Sequence, residues 1–214
     1  ADAQRLSDFQ GALQLSLVAI LLNRGGLDEA SDRIEAAITR IGPEQGSLLG
    51  EALMLRGEVQ RRRGQLSEAL ASYARSRKQF LQLGHDGQAL FPALNGALVL
   101  VLENRFVEAE AEAREALRGF QERDASLGQV FAHAVILPCV AATGRWGAFD
   151  RCLERIVARV AADGLADDDV ASLLVRAGRF ARQAGRAVQG QAALLAAKDQ
   201  YRRLGRHEEA EQIR

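Results

Sequence analysis

The sequence predicts an all-α protein in which helix pairs stack into an α-solenoid. A turn motif, seen in Gly64–Ala69, recurs with its last residue at positions 30, 69, 109, 149 and 190, so successive copies are almost evenly spaced. After Gly64, apolar residues at positions 66, 69, 70, 73, 80 and 83 fall on one face of a helix. Such a constant period with two helices per unit is typical of a solenoid. The low proline content of the chain, with three prolines, agrees with long helices.

Five helix pairs and a partial sixth follow from the breaks between these motifs. The predicted pairs cover residues 4–42, 44–84, 86–123, 125–164 and 167–205, residues 206–214 begin another helix, and all belong to one solenoid over residues 1–214. In the first pair, apolar positions 6, 9, 13, 17, 20 and 21 form a stripe, Gly25 and Gly26 form the turn, and a Gly-Pro step at 42–43 ends the returning helix. The second pair turns at Gly64.

Each of the remaining pairs is also set by its turn. The third pair turns at Asn104, where glycine stands in other copies. The fourth begins at Ser126 with a capping-box pattern, and Pro138 near its turn predicts a kink. The fifth begins at Asp167–Asp169, where carboxylates suit the positive end of a helix, and turns at Gly185.

Charge and hydropathy limit the partners and the location of the chain. The 28 basic and 28 acidic residues cancel, so no overall field favours nucleic acid or an anionic membrane. The longest apolar run, Ala12–Leu22, is interrupted by Gln14 and Ser16, so no membrane span is predicted. The two cysteines predict reduced, buried thiols. The missing initiator methionine and signal peptide predict a segment of a longer protein, or a processed one, and a cytoplasmic location is expected from these features.

The sequence predicts neither an enzyme active site nor a cofactor or metal site. His85, His133 and His207 lie far apart along the chain and have no Cys or Glu at ligand spacing. His133 lies on a mostly apolar helix and is interpreted as a core or groove residue. The segment Gly185–Gly190 has the glycine spacing of a phosphate loop, but Gln191 follows it where that loop requires lysine.

The repeat motif resembles the tetratricopeptide repeat, in the longer of its two forms, which matches the spacing of the copies in this chain. That family has glycine, then a bulky residue two positions later and alanine five positions later, as in Gly64, Leu66 and Ala69. The third copy has Asn for Gly at position 104, and Phe149 and Gly190 stand where the fourth and fifth copies should have alanine. These departures put the packing angle of the last two pairs in question.

The resemblance covers essentially the whole chain. It implies a right-handed solenoid of about five antiparallel helix pairs with a partial helix at the C-terminus. It also requires a small residue about twelve positions before the alanine, and Gly57, Ala97 and Gly178 satisfy this. The Leu-Gly pairs at 83–84 and 204–205 are similar to those of repeat arrays in large bacterial signalling proteins.

The resemblance further implies that the first helix of each pair lines a concave groove that binds a peptide or a partner domain. Apart from Leu15, Ala19, Leu22, Glu51, Val101, Ala134 and Ala141, the residues that this assigns to the groove are Met54, Glu58, Arg61, Arg62, Phe91, Leu94, Asn95, Leu98, Phe131, Arg176, Arg179 and Arg182. The middle of this groove is apolar and arginines lie towards both ends. We therefore expect a protein partner with apolar anchors and acidic groups.

Other interpretations of the same residues stay open. The arginines can be solvated, with Phe91 and Phe131 packed against the next repeat. The array can also be a self-associating scaffold that forms homo-oligomers, or a regulatory arm that transmits a state to a fused kinase, ATPase or DNA-binding domain.

Overall fold

The computed structural model describes residues 2–42 and 45–213, with side chains from Phe9 onward. Within these ranges every regular element is an α-helix, which confirms the all-α prediction. The helices are α1 Asp2–Asn23, α2 Leu27–Arg40, α3 Gly46–Arg62, α4 Leu66–Gln82, α5 Asp86–Leu102, α6 Phe106–Glu122, α7 Ser126–Ala142, α8 Trp146–Asp163, α9 Asp168–Gln183, α10 Ala187–Arg203 and α11 His207–Gln212. The predicted Gly-Pro stop at 42–43 and the start of the second pair at 44 fall partly outside the described residues.

The chain divides into two compact units, Ala1–Val99 and Leu100–Arg214, and we describe each by itself. The period is regular in both: α4, α6 and α8 begin at residues 66, 106 and 146. Short connections reverse the chain between the helices of a pair, so these helices run antiparallel. The helix starts confirm the repeat period predicted from the turn motifs.

The turns share one backbone geometry. After α3, the amide of Gln65 donates to the carbonyl of Gln60 at 2.9 Å, and Gly64 has φ of +76°. After α5, the amide of Arg105 donates to the carbonyl of Leu100 at 2.9 Å, and Asn104 has φ of +62°. This bond, together with a left-handed residue, satisfies the last carbonyls of the helix, and asparagine tolerates that conformation better than most residues. The predicted turn at Asn104 is therefore confirmed.

In the first unit, small residues bring α3 and α4 into close contact. A Cβ built on Gly57 would lie 2.7 Å from the ring of Tyr73, and one on Gly50 would lie 2.8 Å from the ring of Phe80. Both rings are buried. The glycines thus create the room that the aromatic rings fill, as predicted for Gly57.

In the second unit, α7 packs against α6, α8 and α9, and most of its residues are buried. Pro138 lies inside α7, which continues to Ala142; the kink at this proline stays a prediction. The ring of Phe149 is fully buried where the family pattern expects alanine. At the other unusual position, α9 and α10 meet backbone to backbone, and a Cβ on Gly190 would lie 2.9 Å from the carbonyl oxygen of Gly178.

Both predicted helix starts in this unit are confirmed, because α7 begins at Ser126 and α9 at Asp168, but the cap predicted for α7 is not found. Asp168 and Asp169 lie in the first turn of α9, as expected for carboxylates at the positive end of a helix. Asp167 caps this helix, because its Oδ1 accepts a hydrogen bond from the amide of Val170 at 3.0 Å. The capping box predicted at Ser126 is wrong. The cap position is Ala125, so Ser126 already lies inside the first turn of α7, and its hydroxyl donates to Asp163 Oδ2 at 2.7 Å.

Candidate functional site

A cleft of about 570 Å³ opens in the second unit along α9. We call it the arginine cleft, because Arg176 and Arg179 are the basic residues among its described lining. Its walls are Leu102, Asn104, Ser172, Leu173, Val175, Arg176, Arg179, Phe180, Gln183, Tyr201, Glu209, Gln212 and Ile213. This volume is within the range of about 300–1,000 Å³ that is usual for ligand sites.

The guanidinium group of Arg176 is held in place from three sides. Its Nη2 donates to Asn104 Oδ1 at 2.6 Å. Its Cζ lies 5.8 Å from the ring centre of Phe106 and 5.6 Å from that of Phe180. The two rings meet edge to face at 5.5 Å. Cations are attracted to aromatic faces at such distances, so the side chain is fixed before any ligand arrives.

The charge of Arg176 has no carboxylate partner within ion-pair distance among the residues that the structure describes. Its Nε is buried and donates no hydrogen bond within the same part of the chain. Burial lowers the pKa of Arg176 from its ordinary value. The one acidic residue of the described lining, Glu209, is already bonded to Arg206 at 2.7 Å. The arginine cleft therefore presents a positive charge that no described carboxylate neutralises, and an acidic group of a ligand could pair with it.

The three arginines predicted to share a stripe do not share the cleft. Arg179 is exposed and lines it beside Arg176. Arg182 does not line it; its Nη2 donates to Gln191 Oε1 of α10 at 3.0 Å. Each step of three positions stops short of a full helical turn, so the side chains rotate progressively away from the cleft.

A second cleft, of about 400 Å³, lies in the first unit and is lined by residues of α1, α3, α4 and α5. We call it the Glu51 cleft. Its walls are Ala12, Leu15, Ser16, Ala19, Glu51, Met54, Leu55, Phe80, Gln88 and Phe91. Met54 and Phe91 from the predicted groove are thus placed together, with Leu15, Ala19 and Glu51.

Three charged residues predicted for the groove, Glu58, Arg61 and Arg62, form ion pairs with one another. Arg61 donates to both carboxylate oxygens of Glu58, at 2.7 and 2.9 Å. Arg62 bonds to the same carboxylate and to the carbonyl of Leu22, and the Tyr73 hydroxyl donates to Glu58 at 3.1 Å. Burial raises the pKa of Glu58, but the two guanidinium groups outweigh it and the net pKa is lowered. Arg61 and Arg62 therefore do not supply free cations to a ligand.

The remaining predicted groove residues do not line either cleft. Leu94 and Leu98 are 3% and 4% exposed, so they belong to the core and the prediction that they line a groove is wrong. The same holds for four other buried residues of the predicted groove, Leu22, Val101, Ala134 and Ala141. The physical reason is that a helix as apolar as α5 is buried on more than one side. Asn95 and Phe131 are half-buried.

The sequence prediction missed the residues that position Arg176. These are Asn104, Phe106 and Phe180. One signal was available: asparagine replaces the turn glycine at position 104, and in the structure its side chain binds Arg176 as its backbone makes the turn. Nothing in the local sequence links it to a residue 72 positions away.

Buried polar groups elsewhere in the second unit do not form a further site. The Nδ1 of His133 is buried without a partner in the described structure, and burial, with Arg155 and Arg114 nearby, lowers its pKa to about 4. Cys139 and Cys152 are buried free thiols, and burial raises the pKa of Cys139 to about 12. Among the described residues there is no cluster of three or more metal-binding side chains. In the same part of the chain, no helix combines the length and apolar character needed to cross a membrane.

Solved structures with a similar fold are repeat proteins. BtubC (BKLC) from P. vanneervenii has a TM-score of 0.68 and 20% identity, and the match covers 95% of this chain and 87% of that one. Two structures of a putative kinesin light chain with nearly identical TPR-like repeats, from Podosopora anserina, have TM-scores of 0.65 and 0.64 at 13% and 14% identity; each match covers 93% of this chain and 98% of that one. No protein-family model and no curated protein matches the sequence.

Proposed function

Because the chain has a tetratricopeptide-like repeat fold, we propose that it is a non-enzymatic protein-interaction module that holds a segment of another polypeptide in its clefts. The observation that carries this proposal is Arg176, a fixed guanidinium group in the arginine cleft without a carboxylate partner among the described residues. An Asp or Glu side chain, or a chain-end carboxylate, would bind both Arg176 and the exposed Arg179. Apolar neighbours of that group would pack on Leu102 and Phe180.

The proposal includes a cellular context. The long repeat period and the Leu-Gly pairs at 83–84 and 204–205 support a role within a larger bacterial signalling or regulatory protein. The free thiols of Cys139 and Cys152 support a cytoplasmic location, and the balance of 28 basic and 28 acidic residues argues against nucleic acid as a partner. In that setting the module would recruit a partner, or transmit its binding to a fused domain.

The test is a phage display selection of fragments from the proteins of the source organism, with the full chain as bait. We expect enriched segments with acidic and apolar residues side by side. Arg176→Gln should weaken their binding at least about tenfold, because a fixed charged contact is lost. Asn104→Gly should weaken it by a smaller factor, since glycine keeps the turn but releases Arg176. Fluorescence anisotropy with a labelled segment measures both.

The matched control is Arg159→Gln, which removes an exposed arginine on α8 outside the cleft. It should leave affinity unchanged, and circular dichroism should show the same helix content in all variants. A selection that enriches no segments with acidic groups, or equal binding of an acidic segment by the Arg159→Gln and Arg176→Gln chains, would contradict the proposal.

Self-association is a second candidate, favoured by an apolar stripe on α1. Phe9, Leu13 and Ile20 are 67%, 57% and 47% exposed, and they recur at helical spacing. Two copies that pair through this stripe would cover it. Light scattering across a dilution series decides: a mass that stays at one chain removes this candidate.

A further inference from the structure

The Glu51 cleft differs from the arginine cleft in its charge. Glu51 is the only ionisable residue among its described walls, and the others are apolar or small and neutral. The part of α1 whose side chains the structure describes, from Phe9 to Asn23, contributes no charge to the cleft, because it has no acidic or basic residue. A single carboxylate therefore sets the electrostatic character of this cleft.

Neighbouring carboxylates of the first unit have cationic partners. Glu58 is bonded to Arg61, and Glu29 is bonded to Arg33 at 2.7 Å. No described Lys, Arg or His lies within ion-pair distance of Glu51. The Glu51 side chain is half-buried, and this burial raises its pKa, because the carboxylate has lost water and gained no cation.

From this arrangement we infer that the Glu51 cleft is an anchor site for a lysine or arginine side chain of a partner polypeptide. The cation would pair with Glu51 and replace the solvation that the carboxylate has lost. Its methylene chain would pack against Met54 and the ring of Phe91, which is 42% exposed at the wall. A guanidinium or ammonium group near Phe91 gains a further attraction to the ring face.

Charge complementarity selects this occupant over the others. An acidic segment would place two carboxylates together in a partly dry cleft, which is unfavourable. A purely apolar segment would cover Glu51 without a partner and leave a buried charge. The inference rests on the proposed function in that the partner is a polypeptide. Because the cleft lies entirely in the first unit, its occupation requires nothing of Arg176.

The test is a selection from a random dodecapeptide phage library on the full chain. Besides any acidic peptides that bind the arginine cleft, we expect an enriched family in which Lys or Arg stands between apolar residues. A fluorescein-labelled synthetic peptide of that family is then titrated by anisotropy. Its Kd should rise at least about tenfold for Glu51→Gln, which keeps the shape of the side chain and removes its charge. Phe91→Ala should also weaken binding, because it removes an apolar wall.

Three controls make the result specific. Glu68→Gln makes the same change at an exposed position of α4 and should bind as the unchanged chain does. Arg176→Gln should also leave this Kd unchanged. The hypothesis for the arginine cleft can therefore fail without the inference for the Glu51 cleft failing, and the reverse. Circular dichroism should show equal helix content. The inference is overturned if no basic and apolar family is enriched, or if Glu51→Gln binds the peptide as tightly as the unchanged chain.

Discussion

Phe149→Ala is expected to destabilise the protein by about 3–5 kcal/mol, although it restores the alanine of the family pattern. The ring of Phe149 is fully buried on α8, and removing it leaves a cavity that the surrounding helices fill only in part. The substitution also removes the aromatic contact with Trp146, whose ring centre lies 5.8 Å from that of Phe149. Urea unfolding followed by circular dichroism measures the change in the free energy of unfolding.

The control for this prediction is the same substitution at an exposed position. Phe9 is 67% exposed on α1, so Phe9→Ala removes the same atoms without opening a cavity. Its effect on the free energy of unfolding should stay within about 0.5 kcal/mol. If Phe149→Ala lowers the free energy of unfolding no more than Phe9→Ala does, the ring of Phe149 does not fill the core.

Gly190→Ala is the second large prediction, and it also restores the family alanine. In an open helix this change would stabilise by about 1 kcal/mol, because alanine is the better helix former. Here the new Cβ would lie 2.9 Å from the Gly178 carbonyl oxygen and 3.1 Å from the Arg182 amide nitrogen. These are backbone atoms, so α9 and α10 must move apart, which typically costs about 1–3 kcal/mol. We expect a net loss in the free energy of unfolding, measured by thermal and urea unfolding.

Gly147→Ala is the matched control. Gly147 occupies the first turn of α8, and the atom nearest to a Cβ built there is Arg151 Nη1, at 3.7 Å. With room for the methyl group, the change should be neutral or stabilising by up to about 1 kcal/mol. Equal stability of the Gly190→Ala and Gly147→Ala chains would mean that α9 and α10 do not pack backbone to backbone.

The fold was predictable from the sequence because its signals are local. A left-handed turn needs glycine or a tolerant residue such as Asn104, and each such turn is followed by an apolar helical face. The close helix contact at Gly57 also follows from the size of one residue. Phe149 and Gly190 were recognised as departures, but the direction of their effect depends on the opposite helix, which the sequence does not provide.

The binding surfaces were predictable only in part. The bonds from Glu58 to Arg61 and Arg62 follow from spacings of three and four positions on one helix, so this pairing could have been expected from the sequence. The burial of Leu98 depends on its neighbours in the fold. The support of Arg176 by Asn104 joins residues 72 positions apart, and pairs at such distances are set by the stacking of the repeats.

The buried thiols provide a built-in reporter of opening. Both cysteines of the chain, Cys139 and Cys152, lie in the second unit, and the first unit has none. Since only a thiolate reacts with an alkylating reagent, these sulfurs become reactive when the helices around them separate. The rate of alkylation of the unaltered protein therefore measures how often the second unit opens, and it would register a partner that holds that unit closed.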